Sequence, residues 1–236
     1  AREHGISLSI HAPYYTNISS DEQERIDKTI DYIMQSACAA SNMGATRIVV
    51  HMGSPKKLTR RAAMDISKTT IKAALNKMDE AGYGHISLCP ETMGKISQMG
   101  TLDEVIEICL LDERLIPTID FGHLNSRTLG GINTEEDYEY IIKRMEKKLG
   151  AFRASNFHSH FSKIEFTRSG EKRHLTFDNT EYGPEFMPLA RVIAKRSITP
   201  TIICESAGTQ AEDAVKMLKM YEKAMERRIE NEGLSY

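Results

Sequence analysis

The sequence predicts a parallel α/β barrel of the (β/α)8, or TIM barrel, class, and three observations predict it. Short apolar runs with strand character alternate along the chain with longer segments of helical periodicity. Nearly every apolar run stops at a histidine, aspartate or glutamate, as expected where barrel strands present functional side chains at their carboxyl ends. The chain has 236 residues and a 40% hydrophobic composition, enough for one barrel domain. We therefore expect a single domain over residues 1–236.

Six strands are predicted, each an apolar run that ends at or beside a possible metal ligand. They cover residues 7–11, 46–51, 86–91, 115–120, 156–163 and 201–205. A closed barrel of this class has eight strands. Residues 1–5 (AREHG) have the composition of a helix end closed by glycine. We therefore expect the chain to be an N-terminally truncated barrel that lacks its first two strands, rather than an open barrel.

The stretch 117–123 (PTIDFGH) shows most clearly the pattern shared by the predicted strands, an apolar run followed by side chains that can bind a metal. We expect a buried strand that carries Asp120 and His123 at its end and runs out into a polar loop at Gly122. An aspartate at a strand end can also cap a following helix. This stretch alone therefore does not establish a site.

Helices are predicted between the strands because apolar residues recur there at helical spacing. They cover residues 21–43, 59–81, 102–111, 135–149, 184–195 and 211–232. Ser19 and Ser20 are candidates to cap the first of them, and Gly44 is its expected end. The polar segment 165–183 is too long for an ordinary strand–helix connection, so we expect an active-site loop there.

Composition limits the classes of function. A formal charge of −2 gives no general support for nucleic-acid binding, although a local basic patch is compatible with it. The four cysteines are scattered without metal-binding spacing, so we interpret them as reduced core residues. No long apolar stretch or signal peptide is visible. We expect a soluble cytoplasmic protein with no membrane contact and no obligate protein partner.

The strand ends together offer a mixed set of imidazole and carboxylate ligands. Its members are His11, His51, Glu91, Asp120, His160 and Glu205. Such a set favours zinc, manganese or iron over calcium or magnesium alone, and it suffices for two metals if one carboxylate bridges them. Two metals suit phosphodiester hydrolysis. They would also suit a sugar isomerase, in which the metals polarise a carbonyl and the neighbouring hydroxyl.

Seven short segments resemble, in order, the signature segments of the endonuclease IV family (AP endonuclease family 2), a branch of the xylose-isomerase-like TIM barrels. They read IHAPYYTN, VVHMGS, PETMGK, IDFGH, HFSK, KRH and CES, and they extend over most of the chain. The resemblance implies three metal sites. The first would use His11, His51 and Glu91; the second Glu91 as a bridge with Asp120, His160 and Glu205; the third His123 and His174. It implies two zinc ions with a possible third, and manganese as an alternative.

The activity that the resemblance implies is cleavage of damaged double-stranded DNA 5′ to an abasic site, in base-excision repair, by a metal-bound hydroxide. Glu91 and Glu205 would be the catalytic carboxylates, with Glu205 orienting or deprotonating the water. The resemblance places Tyr14 where it would insert into DNA. Lys163, Arg168 and Lys172 are the expected phosphate contacts, because the long polar segment is expected on the active face.

The chain departs from the family pattern where that pattern reads Asp-Arg-His. Lys172 takes the aspartate position here, and a protonated lysine cannot ligate a cation. Glu171 or Glu165 could substitute, or the third site could be empty with Lys172 on phosphate. Two other interpretations stay open: a sugar isomerase or epimerase of the same superfamily, and a relative that binds DNA or metal without turnover.

Overall fold

A computed structural model describes residues 1–232, which fall into two compact units. The first unit comprises Ala1–Met93 and Ser97–Thr118. The second comprises Gly94–Ile96 and the chain from Ile119 onward. In the first unit, strands and helices alternate along the chain, as the apolar pattern predicts.

Three parallel strands form the centre of the first unit. After a 3₁₀ turn over Arg2–His4, its elements are β1 (Ser9–His11), α1 (Gln23–Met43), β2 (Arg47–His51), α2 (Arg60–Glu80), β3 (Ser87–Glu91) and α3 (Leu102–Cys109). β1 pairs with β2 and β2 with β3, both in parallel. The β2–β3 register runs without interruption to a final pair of His51 with Glu91. This register brings two ligand-type side chains to the same end of neighbouring strands.

The helices of the first unit begin and end largely where the sequence signals predict. The Thr59 hydroxyl accepts a hydrogen bond from a backbone amide at the start of α2, and Thr101 forms a capping box at the start of α3. Gly44 ends α1 in the left-handed region, at φ 73°. The predicted caps Ser19 and Ser20 are wrong, because α1 starts later and its N-cap position is Glu22.

The second unit contains the remaining elements. They are β4 (Thr118–Asp120, whose first residue lies in the first unit), α4 (Phe121–Arg127), α5 (Glu135–Ser155), β5 (His158–Phe161), β6 (Lys163–Thr167), β7 (Gly170–Leu175), α6 (Phe186–Arg196), β8 (Thr201–Cys204) and α7 (Gln210–Glu232). β5 and β8 pair in parallel along four residues each. Among residues 1–232, six strands pair in parallel, so the predicted parallel α/β class and its strand count are confirmed.

The predicted strand through His123 ends three residues earlier. β4 stops at Asp120, and α4 begins at once with Phe121. The Asp120 carboxylate accepts a hydrogen bond of 2.6 Å from the His123 amide, which caps the helix. The expected loop after Gly122 is therefore a short helix, and His123 lies in its first turn.

The predicted long loop over 165–183 is also wrong in its first half. Residues 163–175 form an antiparallel hairpin of β6 and β7, in which Lys163 pairs with Leu175 and Thr167 with Gly170. Alternating hydrophobicity, the usual strand signal, is confined to the five residues of β6 and is lost in β7, where Glu171, Lys172 and Arg173 are all charged. The hairpin moves His174 from a loop onto a strand.

The cores of the two units differ in composition. The first unit buries mainly aliphatic side chains, including Ile48, Val50 and Leu88. The second is centred on Phe121 and Phe161, whose ring centroids lie 6.3 Å apart within a larger aromatic group. Each arrangement fixes the strand ends that carry the ligand-type side chains.

The cysteines are all free, and three of the four are buried as predicted. Cys38 is the exception, because it lies on an exposed position of α1. Burial raises the pKa of the Cys89 thiol to about 12, which keeps it protonated and unsuited to ligating a metal. No helix among residues 1–232 combines the length and the apolar character needed to cross a bilayer.

Candidate metal centre

The carboxyl ends of β1, β2 and β3 bring His11, His51 and Glu91 together. One ligand atom from each lies within 4.8 Å of the other two. Glu91 Oε2 is 3.3 Å from His11 Nε2 and 3.2 Å from His51 Nε2. Because the strands are parallel and the pairing of β2 with β3 is in register up to this point, the three side chains converge without any loop having to position them.

The other ring nitrogens of the two histidines face carbonyl oxygens. His11 Nδ1 lies 2.7 Å from the Ala12 oxygen, and His51 Nδ1 lies 3.0 Å from the Tyr14 oxygen. A carbonyl oxygen can only accept, so Nδ1 carries the proton in each ring. The Nε2 lone pair of a neutral ring then faces a carboxylate oxygen, and a cation between them removes the repulsion. This is the orientation expected of metal-ligating histidines.

The distances in this first cluster also fit a metal ion. Ligand atoms that are each about 2.1 Å from a tetrahedral zinc ion lie about 3.4 Å from one another. The two nitrogen–oxygen distances of 3.3 and 3.2 Å are close to that value. Glu91 is 1% exposed, and a buried carboxylate requires a compensating positive charge. The residues present therefore fit a divalent cation.

A second cluster in the other unit contains Asp120, His160 and Glu205. His160 Nδ1 lies 3.2 Å from Glu205 Oε1 and 4.0 Å from Asp120 Oδ2. His160 is on β5, and Glu205 directly follows β8, where its amide donates to the Phe161 oxygen at 3.0 Å. The pairing of β5 with β8 thus positions both ligand-type side chains.

A third cluster contains His123, Glu171 and His174. His123 Nε2 lies 3.5 Å from Glu171 Oε2, and the two imidazole rings have centroids 5.7 Å apart. His174 Nδ1 is 2.8 Å from the Ser162 hydroxyl, which leaves Nε2 as its ligand atom. All three side chains are buried or half-buried. This cluster, too, has the donor set and spacing of a borderline metal site.

Asp120 makes two kinds of contact in this geometry. Its Oδ1 caps α4 by accepting from the His123 amide, while its Oδ2 lies 3.5 Å from His123 Nδ1 and 4.0 Å from His160 Nδ1. The structural interpretation of this aspartate as a helix cap is therefore confirmed, and its interpretation as a metal ligand stays a prediction. By fixing the first turn of α4, it also orients His123.

The predicted DNA contact Tyr14 is 66% exposed. Its ring centroid lies 5.0 Å from that of His51, and its backbone oxygen is the partner of His51 Nδ1. An exposed aromatic ring is therefore anchored directly beside a candidate metal ligand.

The three predicted phosphate contacts differ in accessibility. Lys163 is 5% exposed and lies 2.6 Å from Glu185 Oε1, so a phosphate would have to displace that carboxylate. Arg168 is exposed at the turn of the hairpin. Lys172 is exposed but lies 2.5 Å from Glu165 Oε1. Of the three, Arg168 is the most open to a substrate.

Sequence reasoning missed the groups that orient the histidines. The backbone oxygens of Ala12 and Tyr14 leave no signal in a sequence, because every residue carries one. The Ser162 hydroxyl, two residues after His160 in the HFSK segment, could have been suspected as a partner for a histidine.

Comparisons with known proteins show the family and the fold of this chain. The sequence model of a family described as a xylose isomerase-like TIM barrel matches residues 1–223. An uncharacterized protein of Methanocaldococcus jannaschii is 31% identical over 93% of this chain and 79% of its own length. A probable endonuclease 4 of Enterococcus faecalis is 28% identical over 69% of this chain, a match that spans 54% of that relative.

Two solved structures have the same fold. One is a D-tagatose 3-epimerase-like protein, with a TM-score of 0.70, 19% identity and coverage of 97% of this chain and 81% of its own. The other is endonuclease IV of Thermus thermophilus, with a TM-score of 0.69, 19% identity and coverage of 96% and 79%. At this level of identity they are evidence for the fold alone.

Proposed function

Because the chain belongs to the xylose isomerase-like TIM-barrel family, we propose that it is a metal-dependent phosphodiester hydrolase that cleaves DNA 5′ to abasic sites in base-excision repair. The observation that carries this proposal is the presence of three separate His/carboxylate clusters. Proton transfer between neighbouring carbons of a sugar needs a cation only at one carbonyl and its hydroxyl. Displacement at phosphorus has charge to neutralise on the attacking, leaving and non-bridging oxygens, which suits several cations.

The first cluster would hold one ion through His11, His51 and Glu91. The second would hold another through Asp120, His160 and Glu205. Zinc suits this donor set best, and manganese is a second possibility. Divalent cations held there would lower the pKa of a water molecule and stabilise charge on the phosphate.

Glu205 is the carboxylate best suited to orienting that water. Its side chain is 29% exposed, whereas those of Asp120 and Glu91 are essentially buried. A general base must reach both the water and the solvent to which the proton finally goes. His160 Nδ1 lies 3.2 Å from Glu205 Oε1, so the carboxylate lies beside the ion that His160 would help to hold.

Tyr14 supports a DNA substrate in particular. An exposed ring beside a metal cluster offers a surface on which a base, or the gap left by a missing base, can stack. Arg168 is an exposed cation on the hairpin that carries His174. These side chains would contact the damaged duplex, while the clusters act on its backbone.

The experiment is cleavage of a duplex with a single abasic site, in the presence of zinc or manganese. We expect incision 5′ to the lesion by the unsubstituted chain. Glu91→Gln keeps the shape of the side chain but removes its charge, so metal binding at the first cluster and incision should be lost together. Glu107→Gln, which alters a half-buried carboxylate of α3 that pairs with Lys68, is the matched control and should leave both unchanged.

Two results would contradict the proposal. Incision that survives Glu91→Gln would mean that the first cluster is not catalytic. Metal binding without incision of any abasic duplex would favour the alternative of a sugar isomerase or epimerase. That alternative predicts interconversion of a ketose with its epimer, again dependent on Glu91.

A further inference from the structure

We propose that a one-residue bulge in β7 makes Glu171, and not residue 172, the carboxylate ligand of a third metal ion that is also bound by His123 and His174. The inference rests on the proposed function, since it concerns the same metal-dependent site. The inference explains how this chain could hold a third ion although Lys172 occupies the position at which the family pattern has an aspartate.

The register of the hairpin carries the inference. His174 pairs with Ile164, and Glu171 pairs with Phe166. Ile164 and Phe166 are two apart on β6, so their side chains lie on the same face. Their partners His174 and Glu171 therefore share a face, although they are three apart in sequence. In an uninterrupted strand residue 172 would have shared the face of His174.

The bulge explains why residue 171, and not residue 172, shares the face of His174. Between Glu165 and Phe166 on β6, the partner on β7 changes from Arg173 to Glu171, and Lys172 is left without a residue opposite it. An extra residue in one strand of an antiparallel pair shifts every later side chain to the other face. The bulge thus brings a carboxylate to the site and turns the lysine away from it.

The side chains agree with the backbone. Glu171 is 12% exposed and its Oε2 lies 3.5 Å from His123 Nε2. The Lys172 side chain is 54% exposed, and its ammonium lies 2.5 Å from Glu165 Oε1. The Arg173 guanidinium contacts the same carboxylate at 2.6 Å. Glu165 therefore pairs with both Lys172 and Arg173, and among the described residues neither of these two forms an ion pair with the third cluster.

A glycine makes room for Glu171. A Cβ atom at Gly94 would lie 2.6 Å from the Cβ of Glu171 and 2.7 Å from its Oε2. The Gly94 oxygen also accepts a hydrogen bond from the Glu171 amide at 3.2 Å. Gly94 thus fixes the backbone of Glu171 and leaves space for its carboxylate.

Two imidazoles and one carboxylate leave a fourth tetrahedral position for an oxygen of a substrate. His174 would ligate through Nε2, because its Nδ1 faces the Ser162 hydroxyl at 2.8 Å. His123 would ligate through the Nε2 atom that faces Glu171. A phosphate oxygen fits the open position, because the ion would carry the positive charge that Lys172 does not supply.

The test measures bound zinc and its affinity by metal analysis and chelator competition, with Co²⁺ absorption as a second signal. We expect the unsubstituted chain to hold three equivalents. Glu171→Gln should lose one equivalent, or weaken it by more than about 100-fold, since even indirect support of a ligand is worth roughly 10–100-fold. Lys172→Asp should not change the count, and Glu171→Gln combined with Lys172→Asp should not restore the lost equivalent.

Glu165→Gln is the matched control, because it alters a carboxylate of the same hairpin that pairs with Lys172 instead of the cluster. It should keep three equivalents. Three zinc equivalents in Glu171→Gln, or rescue of the lost equivalent by Lys172→Asp, would overturn the inference.

If two ions bind with or without Glu171 and abasic DNA is still cut, the inference fails and the proposed function stands. If Glu171→Gln loses one of three ions in a chain that cuts no abasic DNA, the inference stands and the proposed function fails.

Discussion

The first and third clusters position their carboxylates by different means. Glu91 ends a parallel strand whose register with β2 is uninterrupted, and its side chain is 1% exposed. Glu171 lies on a two-stranded antiparallel hairpin, beside a bulge, and is 12% exposed. The two clusters nevertheless have similar nitrogen–oxygen distances, 3.2 to 3.3 Å in the first and 3.5 Å in the third.

The two carboxylates, Glu91 and Glu171, are held in position by different structural supports. A parallel strand that is buried on both faces and flanked by helices cannot slip without exposing its core. An antiparallel hairpin with few buried side chains depends on local contacts, here the bulge and Gly94. The first cluster should therefore be rigid, whereas the third should respond to small local changes.

The largest expected effect is the loss of activity when a ligand of the first cluster is removed, compared with the loss when a ligand of the third cluster is removed. His51→Gln removes a ligand of the first cluster, and we expect incision of abasic DNA to fall by about 10³-fold or more, since a catalytic cation supplies several kcal/mol. His174→Gln removes a ligand of the third cluster and should reduce incision less. Rates of both variants, measured with saturating zinc, test the ranking.

The ranking depends on both variants being folded. Circular dichroism and the melting temperature of each metal-free variant should match those of the unsubstituted chain. A smaller loss for His51→Gln than for His174→Gln would show that the hairpin, and not the strand ends, carries the chemistry.

A second prediction concerns how the segment after the hairpin is held. Asp213 is fully buried and accepts hydrogen bonds from the Phe177 amide and the Thr209 hydroxyl, while Lys216 lies 2.9 Å from its Oδ1. Burial by itself raises the pKa of this carboxyl, but these hydrogen bonds outweigh burial and lower it to about 2. Because the pKa is lower in the folded chain, the stabilisation is present above about pH 4 and is lost as the pH falls towards 2.

Asp213→Asn should therefore reduce the free energy of unfolding at pH 7 by roughly 2 kcal/mol. The difference between the variant and the unsubstituted chain should shrink as the pH falls from 4 towards 2. Chemical denaturation over this pH range measures it. A difference that stays constant with pH would mean that the Asp213 carboxylate is not the anchor of this segment.

Much of the fold was predictable, because parallel strands have strong signals. The apolar runs ending at His51, Glu91 and Asp120 were placed to within a few residues. The family membership was likewise predicted from short segments in sequence order, and the family match over residues 1–223 confirms it. The roles of the individual ligands stay predictions.

The hairpin could not be predicted for physical reasons. Its first strand alternates polar and apolar residues over only five positions, and its second carries charged residues at three consecutive positions, 171–173, so the period-two pattern that reveals a half-buried strand is lost in β7. The place of a bulge is set by contacts with distant residues such as Gly94, which periodicity does not record. The helix at Phe121 was missed because Asp120 was interpreted as a strand end before a loop, although it is also an N-cap.

The smallest effect should come from Gly94→Ala, which tests the sensitivity of the third cluster alone. The added methyl group would lie 2.6 Å from the Glu171 Cβ and 2.9 Å from the Ser126 hydroxyl oxygen, so the hairpin must shift to accommodate it. We expect zinc affinity at the third cluster to fall by about 10-fold. The first cluster should keep its affinity, because its strands do not depend on this glycine.

A double-mutant cycle makes the prediction sharp. If Gly94→Ala acts through Glu171, it should have no further effect on metal binding in a Glu171→Gln chain, in which the third equivalent is already lost. Equal weakening of all zinc equivalents by Gly94→Ala would indicate a general loss of structure. In that case it would be wrong that the first cluster is rigid while the third responds to small local changes, because the backbone at Gly94 would support both clusters.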